Sequence, residues 1–573
     1  MNESAVNRHS AEPTSAIVGL LALAFAFVAS VASAVPLTFT VTNTADSGAG
    51  SLRQAILDAN ENTGPDTIQF NIPSDDSGCN ALTHMCTIKP TDGSPSTWPH
   101  VTSPVTINGY SQSGTHMNTL AVGSDAVLLI ELDATNLADN AIYLGGPFSG
   151  GDSSGSTIKG LVISHVKNGL AGICASCNGG GSNNHTITGN FIGTDATGTA
   201  TTSPSGFGIE LIGSTGTTIG GTTPDSRNVI STGGIAIVLS GASDTTVQGN
   251  YIGIDKTGTA ALASGRGINV GDSSGSLIGG TASGAGNVVA SWSDFGIIFQ
   301  GSGNNNLVQG NLIGTDATGT VRLGGQTGVS YQGIGTGSKI GGAAAGEGNV
   351  ITGATLYGVA IYFDTSPDVV VQGNVITGNE LGIIAYAGKG IIGGTAAGAG
   401  NRIAFNSTYG VSIFATAQNV PILGNEIYAN GSLGITLNNS NVPTPNDDND
   451  SDTGNNNQQN YPVISAVTIS PKTTVHVSGS LNSTPSTTFR IEFFANANCD
   501  ASGNGEGKKF IGIANVTTST NPVNFGTPLT LDFIVPADRH VITATATDPS
   551  GNTSEFSVCS TQDTIFSDGL DGS

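Results

Sequence analysis

The tripeptide Asn-x-Ile/Val recurs in a regular series at Asn190, Asn228, Asn250, Asn287, Asn311, Asn349, Asn374, Asn401 and Asn425. The successive intervals are 38, 22, 37, 24, 38, 25, 27 and 24 residues, so a long unit alternates with a short one until the last two. A period of this size constrains the fold more than any composition does. Each unit is a supersecondary piece that cannot bury its apolar side alone and must stack on its neighbours.

Each unit carries a Gly-Ile/Val-x-hydrophobic run, from GIEL (208–211) to GITL (434–437), and a run ending in Gly, such as TTIGG (217–221). Short alternating runs separated by Gly, Asn and Ser read as strands and turns, and they are too short for helices. Three short strands per unit describe one coil of a parallel β-helix. Coils about 4.8 Å apart give the nine-rung section a length of roughly 38 Å. The repeated Ile, Val and Leu positions point inward, and the nine asparagines stack as a structural ladder. GNFIGTDATGTA (189–200) returns at 249–260 and 310–321 with Asp195, Asp255 and Asp316. It reads as a turn inserted in alternate coils, because Asp bonds turn backbone and Gly takes positive φ.

The ends of such a stack expose sheet edges and need covering. SLRQAILDAN (51–60) is an amphipathic helix with Ser51 and Gln54 in a capping-box pattern and Leu52, Ala55, Ile56 and Ala59 on one face. Residues 35–130 read as a cap with irregular first coils, 131–440 as the repeats and 441–460 as an acidic linker. Residues 461–560 lose the repeat and read as an antiparallel β-sandwich, followed by a tail, 561–573. Residues 1–34 read as a signal peptide, with an apolar run from 16 to 34 ending in Ala32-Ser33-Ala34. No later segment is long and apolar enough to span a membrane as a helix.

An exported chain meets an oxidising environment. Its six cysteines fall into the pairs Cys79–Cys86, Cys174–Cys177 and Cys499–Cys559, with connectivity open at this point. CASC (174–177) reads as a local disulfide rather than a redox or half-zinc motif, since no βαβ pattern surrounds it and no second Cys/His pair completes a metal site. The net charge of −24 argues against nucleic acid and anionic lipid as partners.

TVTNTADSGAGSLRQAILDAN (40–60) resembles the CSLREA-type N-terminal motif of bacterial secreted proteins, with Gly50 where the cysteine of that motif would stand. The GNxIGTDATGT and IGGTxxGAGNVI repeats are similar to right-handed parallel β-helix proteins of the pectin-lyase-like superfamily. DTIFSDGLDGS (563–573) is similar to short tails of some proteobacterial exported proteins. The resemblance implies a right-handed parallel β-helix, which with the N-terminal capping helix and the C-terminal antiparallel, Ig-like β-sandwich read from the residues makes an all-β fold. The superfamily's fold hosts lyases, hydrolases and adhesins, so it does not choose among them.

A lyase of this kind needs clustered carboxylates for Ca²⁺ and an Arg or Lys base, and a hydrolase needs two facing carboxylates. The few basic residues between 190 and 440 sit in no lyase motif, and the NTD, DD, GHG and RIK set of polygalacturonases is absent. Catalytic residues therefore stay unassigned. GDSSG (271–275) matches a nucleophile elbow, but other coils fill the same slot with turn residues and no helix follows. Asp448, Asp450 and Asp452 alternate as oxygen donors do in Ca²⁺ loops, although Thr453 stands where an EF-hand needs Gly. Tyr362, Tyr386 and Phe414 fall at one outward position in three successive coils, a candidate platform for a glycan or partner. The expected function is an extracellular or surface structural or binding protein, adhesin-like and glycan-binding. The alternative is a polysaccharide lyase or glycoside hydrolase acting on an extracellular polymer.

Overall fold

The computed structural model describes residues 35–561, apart from 93–96, 147–149, 178, 180, 363–368, 387–389, 471–473, 520–521 and 531–539. The candidate signal (1–34) and the tail beyond 561 lie outside the described residues. The chain is a parallel β-helix closed by a small antiparallel unit. Three parallel sheets of 13, 12 and 11 strands run along the stack. Among the described residues, no helix is long and apolar enough to cross a membrane.

A coil takes one strand from each sheet. Thr186–Thr188 belongs to the first, Phe191–Ile192 to the second and Phe207–Ile212 to the third, and Thr218–Gly220 then re-enters the first. Ile187, Ile192, Ile209 and Leu211 are wholly buried in one apolar core that runs the length of the stack. Between the first and second strands the chain bends sharply at Gly189, where φ is 65°. A Cβ there would lie 2.7 Å from the Asp225 carbonyl oxygen, so positive φ and close packing both demand glycine.

The nine asparagines occupy the corner after this bend and form one continuous ladder. Asn250 shows its unit. Its backbone N–H and its Nδ2 both donate to Asn287 Oδ1, at 3.1 and 3.0 Å, and Nδ2 also donates to the Ile219 carbonyl. Asn287 repeats the pattern onto Asn311, and Asn311 onto Asn349. The amide suits this corner because it donates and accepts at once while staying neutral, and every ladder residue is buried.

The turn residues of the longer coils are equally regular. Asp195 Oδ1 accepts from the backbone N–H groups of Thr199 and Ala200, and Oδ2 accepts from Thr197. Asp255 and Asp316 repeat this with Thr259, Ala260 and Thr257, and with Thr320, Val321 and Thr318. Successive turns touch, since Lys256 N donates to the Gly198 carbonyl and Ala317 N to that of Gly258. These carboxylates hold turn backbone.

At the N-terminal end the helix Leu52–Glu61 lays Leu52, Ala55, Ile56 and Ala59 on the core. Ser51 caps it by accepting from Gln54 N. Only half of the expected capping box forms, because Gln54 Nε2 donates to Asp58 instead. Parallel strands already stack in the first sheet at Thr38–Val41, Asp66–Phe70 and Val105–Asn108.

At the other end, strands 463–470, 474–481 and 523–530 form one antiparallel sheet, and 488–496, 509–517, 541–547 and 560–561 form a second. Val475, Val477, Ile491, Phe493 and Ile542 pack between them. The three disulfides are Cys79–Cys86, Cys174–Cys177 and Cys499–Cys559, the pairs read from the sequence.

This unit is also the lid of the stack. Phe494 and Phe556 enter the long core, and Ile427 and Gly507 exchange backbone hydrogen bonds at 2.8 and 2.7 Å. Three glutamates reach the last coil. Glu492 accepts from Gly424 N, Glu506 from Asn430 N and Nδ2, and Glu555 from the N–H groups of Leu437 and Thr444. Each acid lies beside the final strand of a different sheet. Glu506 also ends a shorter second ladder, Asn379–Asn406–Asn430.

Candidate functional site

The third sheet has the longest strands of the helix, and past the strand glycine they alternate. Val359 and Ile361 point into the core, so Ala360 and Tyr362 point out. Parallel register carries the outward set from coil to coil. Glu210 pairs with Cys174 and Val238, Val238 with Asn269, Ser330 with Ala360, and Ala360 with Ile384.

In the coils between 357 and 414 this outward face becomes a walled trough. Ala360 and Ile384 lie buried on its floor. On one side stand Tyr362, Tyr386 and Phe414, brought together as their sequence positions suggest. The Tyr362 and Tyr386 rings stack at 4.7 Å and 8°, and Phe414 meets Tyr386 edge-on at 5.6 Å and 87°. Phe414 is 37% exposed. Tyr357 and Tyr409 add further rings to the same apolar cluster, and the Tyr357 and Tyr386 hydroxyls hydrogen-bond at 2.6 Å. A pocket of about 250 Å³ opens between Tyr357, Tyr386, Tyr409, Phe414 and Glu380.

Tyr357 and Tyr409 were missed by the sequence reading, yet their signal was present. An aromatic residue stands immediately before the strand glycine in FGIEL (207–211), FGIIF (295–299), YGVAI (357–361) and YGVSI (409–413). That position forms a second outward row, with Arg266 paired to Asp294 at 2.7 Å and lying over Phe295 farther along.

Burial pushes the Tyr362 hydroxyl up to about 12 and raises Tyr386 too, the latter helped by its bond to Tyr357. Both phenols are neutral at physiological pH and present polar tips on apolar bodies.

The acidic segment arranges itself differently from its sequence reading. Asp447, Asp450 and Asp452 bring one carboxylate oxygen each within 4.8 Å of one another, whereas Asp448 turns away and accepts from Asn482 Nδ2. Positive φ at Asn449 (63°) and Asp450 (55°) reverses the chain, which swaps Asp447 for Asp448 in the expected alternating set. Asp450 also accepts from Asn460 N and Ser483 Oγ, tying the segment to the sandwich.

Residues 326–477 match the model of a family described as periplasmic copper-binding protein (NosD). No curated protein matches the chain in sequence. Among solved structures, tailspike protein 2 of Escherichia coli O157:H7 bacteriophage CAB120 aligns at 10% identity and a TM-score of 0.28, over 90% of this chain and 66% of that one. This chain thus spans just under two thirds of that tailspike. A tailspike protein of Acinetobacter baumannii bacteriophage Fri1, a capsular polysaccharide depolymerase, aligns at 10% identity and a TM-score of 0.16, over 91% and 81% of the two chains.

Proposed function

Starting from a parallel β-helix with an aromatic trough on its longest-stranded face, we propose that the protein is exported and binds a polysaccharide there. The observation that supports this most is the alignment of Tyr362, Tyr386 and Phe414, whose first two rings stack at the spacing of the coils themselves. Apolar sugar faces pack on such rings while hydroxyls meet the phenol tips and Glu380 at the pocket. The net charge of −24 favours a neutral polymer over an acidic one. Affinity electrophoresis against a panel of neutral and acidic polysaccharides tests the reading. Tyr386→Ala should weaken retention by about tenfold or more, and retention equal to that of the unaltered chain sinks the proposal. Release of reducing ends or of unsaturated product in the same incubations would move the reading to a hydrolase or lyase.

A second reading concerns the acidic cluster. Burial pushes Asp450 up to about 6, and repulsion from Asp452 and Asp447 adds to it. Asp452 Oδ1 is buried with no hydrogen-bond partner among the described residues. Three hard oxygen donors suit Ca²⁺. Copper fits poorly, because residues 326–477 contain neither Cys nor Met and His476 is their only histidine. Calorimetric titration should show Ca²⁺ binding at about 10⁻⁴–10⁻³ M, as in extracellular modules, and Asp450→Asn should remove it. An absence of heat at millimolar Ca²⁺ ends this reading.

A further inference from the structure

The three disulfides do unequal structural work. The loop entropy that a cross-link removes from the unfolded chain grows with loop length. Cys499–Cys559 spans a separation of 60 and Cys174–Cys177 only 3, so the latter restrains the unfolded chain least. It is also placed unlike the others. Cys174 lies on the outward face of the third sheet, in register between Tyr143 and Glu210, and is wholly buried. Cys177, in the turn that follows, is only partly buried.

Glu210 makes the site unusual. Its Oε2 lies 3.6 Å from Cys177 Sγ, and the two sulfurs and a carboxylate oxygen lie within 4.8 Å of one another. A disulfide sulfur carries no proton, so this contact is not a hydrogen bond, and no basic side chain pairs with Glu210 among the described residues. The strands on either side present Cys174 and Val238 to it, and neither is charged. Burial alone raises its pKa. The same outward register position holds Val238 and Asn269 in the next two coils, so the strand itself does not require a carboxyl there. A carboxyl held half-buried against a CxxC sulfur is placed for proton transfer.

We propose that Cys174–Cys177 is a thiol–disulfide exchange centre, with the Glu210 carboxyl as its proton donor and acceptor and an external dithiol as its co-reactant. A thiolate of the dithiol attacks Cys177 Sγ, the more accessible sulfur. The Cys174–Cys177 bond breaks, and its electron pair leaves on Cys174 Sγ, which takes the proton of Glu210. The partner's second thiolate then attacks the partner sulfur of the mixed disulfide and releases Cys177 as a thiolate, which is protonated from solvent. The partner is oxidised to a disulfide by two electrons, and the Cys174–Cys177 pair is reduced by two. In the reverse direction, carboxylate Glu210 accepts the Cys174 proton.

The test uses the full oxidised chain and dithiothreitol as the dithiol, quenched with a maleimide and read by peptide mass at each pH from 5 to 8. Cys174–Cys177 should open about tenfold or more faster than either other pair. Glu210→Gln should open about tenfold slower than the native chain at pH 5. The order should reverse near pH 8, where a native carboxylate repels the incoming thiolate and the amide does not. Circular dichroism should show both chains equally folded. Opening no faster than Cys499–Cys559, or superimposable pH profiles for the native and Glu210→Gln chains, overturns the proposal and leaves a local staple. The comparison among pairs within the native chain decides the first point even where the variant fails to fold.

Discussion

The middle of the β-helix and its C-terminal end meet the same problem with different chemistry. In both places a bend leaves backbone N–H groups pointing along the stack, where water does not reach. Between Asn190 and Asn425 the acceptor is a neutral amide supplied by the next coil. At the end there is no next coil, and Glu492, Glu506 and Glu555 from the sandwich supply carboxylates instead. An amide is cheap to bury, whereas a carboxylate is driven toward its protonated form. Burial pushes Glu506 up to about 7 and raises the other two. The repeat is therefore insensitive to pH through its ladder, and the joint is sensitive to pH by construction.

The contrast is broken most forcefully in the ladder itself. Asn311→Leu removes the acceptor for both Asn287 N and Asn287 Nδ2. Two stranded buried donors at about 1–3 kcal/mol each predict a loss of about 4 kcal/mol. Hydrogen exchange should locate that loss in the coils around residue 300, and a loss spread evenly over the chain contradicts the ladder's role.

A smaller effect tests the joint. Glu506 binds its proton more tightly folded than unfolded, so its stabilising contribution is present below about pH 4.5 and declines as pH rises through 7. Asp450 acts with the same sign around pH 6. Thermal melts should show the sandwich end gaining stability from pH 8 to pH 5. A shift from 4.5 to about 7 corresponds to an upper bound of about 3 kcal/mol. Glu506→Gln should flatten most of that slope, and an unchanged slope assigns it elsewhere.

The smallest effect separates turn from chemistry. Asp195→Ala deprives Thr199 N and Ala200 N of their acceptor in an exposed turn and should cost about 1 kcal/mol. Polysaccharide retention should not change, since the turn lies off the third sheet.

How far the sequence could be read follows the same contrast. A ladder residue must recur once per coil, so spacing alone revealed all nine asparagines and with them the coil. Tyr362, Tyr386 and Phe414 were legible because strand alternation is local, whereas Tyr357 and Tyr409 were not, since each stands two residues before an inward valine yet joins the outward cluster. The capping glutamates were not, since each reaches a coil 68 to 118 residues away and belongs to no period. Asp447 was missed because the choice between it and Asp448 depends on two positive φ angles at Asn449 and Asp450. Half of the capping box was misread because Gln54 had a nearer partner one helical turn on, in Asp58.

The ladder has a consequence for how such a chain acquires its size. Asn250 receives the Nδ2 donation of Asn228 and gives its own to Asn287, and Asn311 receives that of Asn287 and gives its own to Asn349. The two positions are interchangeable couplings, identical at both faces. Excising residues 250–310, one long and one short coil, would set Asn311 on Asn228 with every bond type restored, and duplicating them would do the reverse. Among the described residues, the groups that close the stack sit at its two ends, in the helix at 52–61 and the three glutamates. Length is thereby uncoupled from closure, and a gene encoding this fold can lengthen or shorten its rod in whole pairs of coils without redesigning either end.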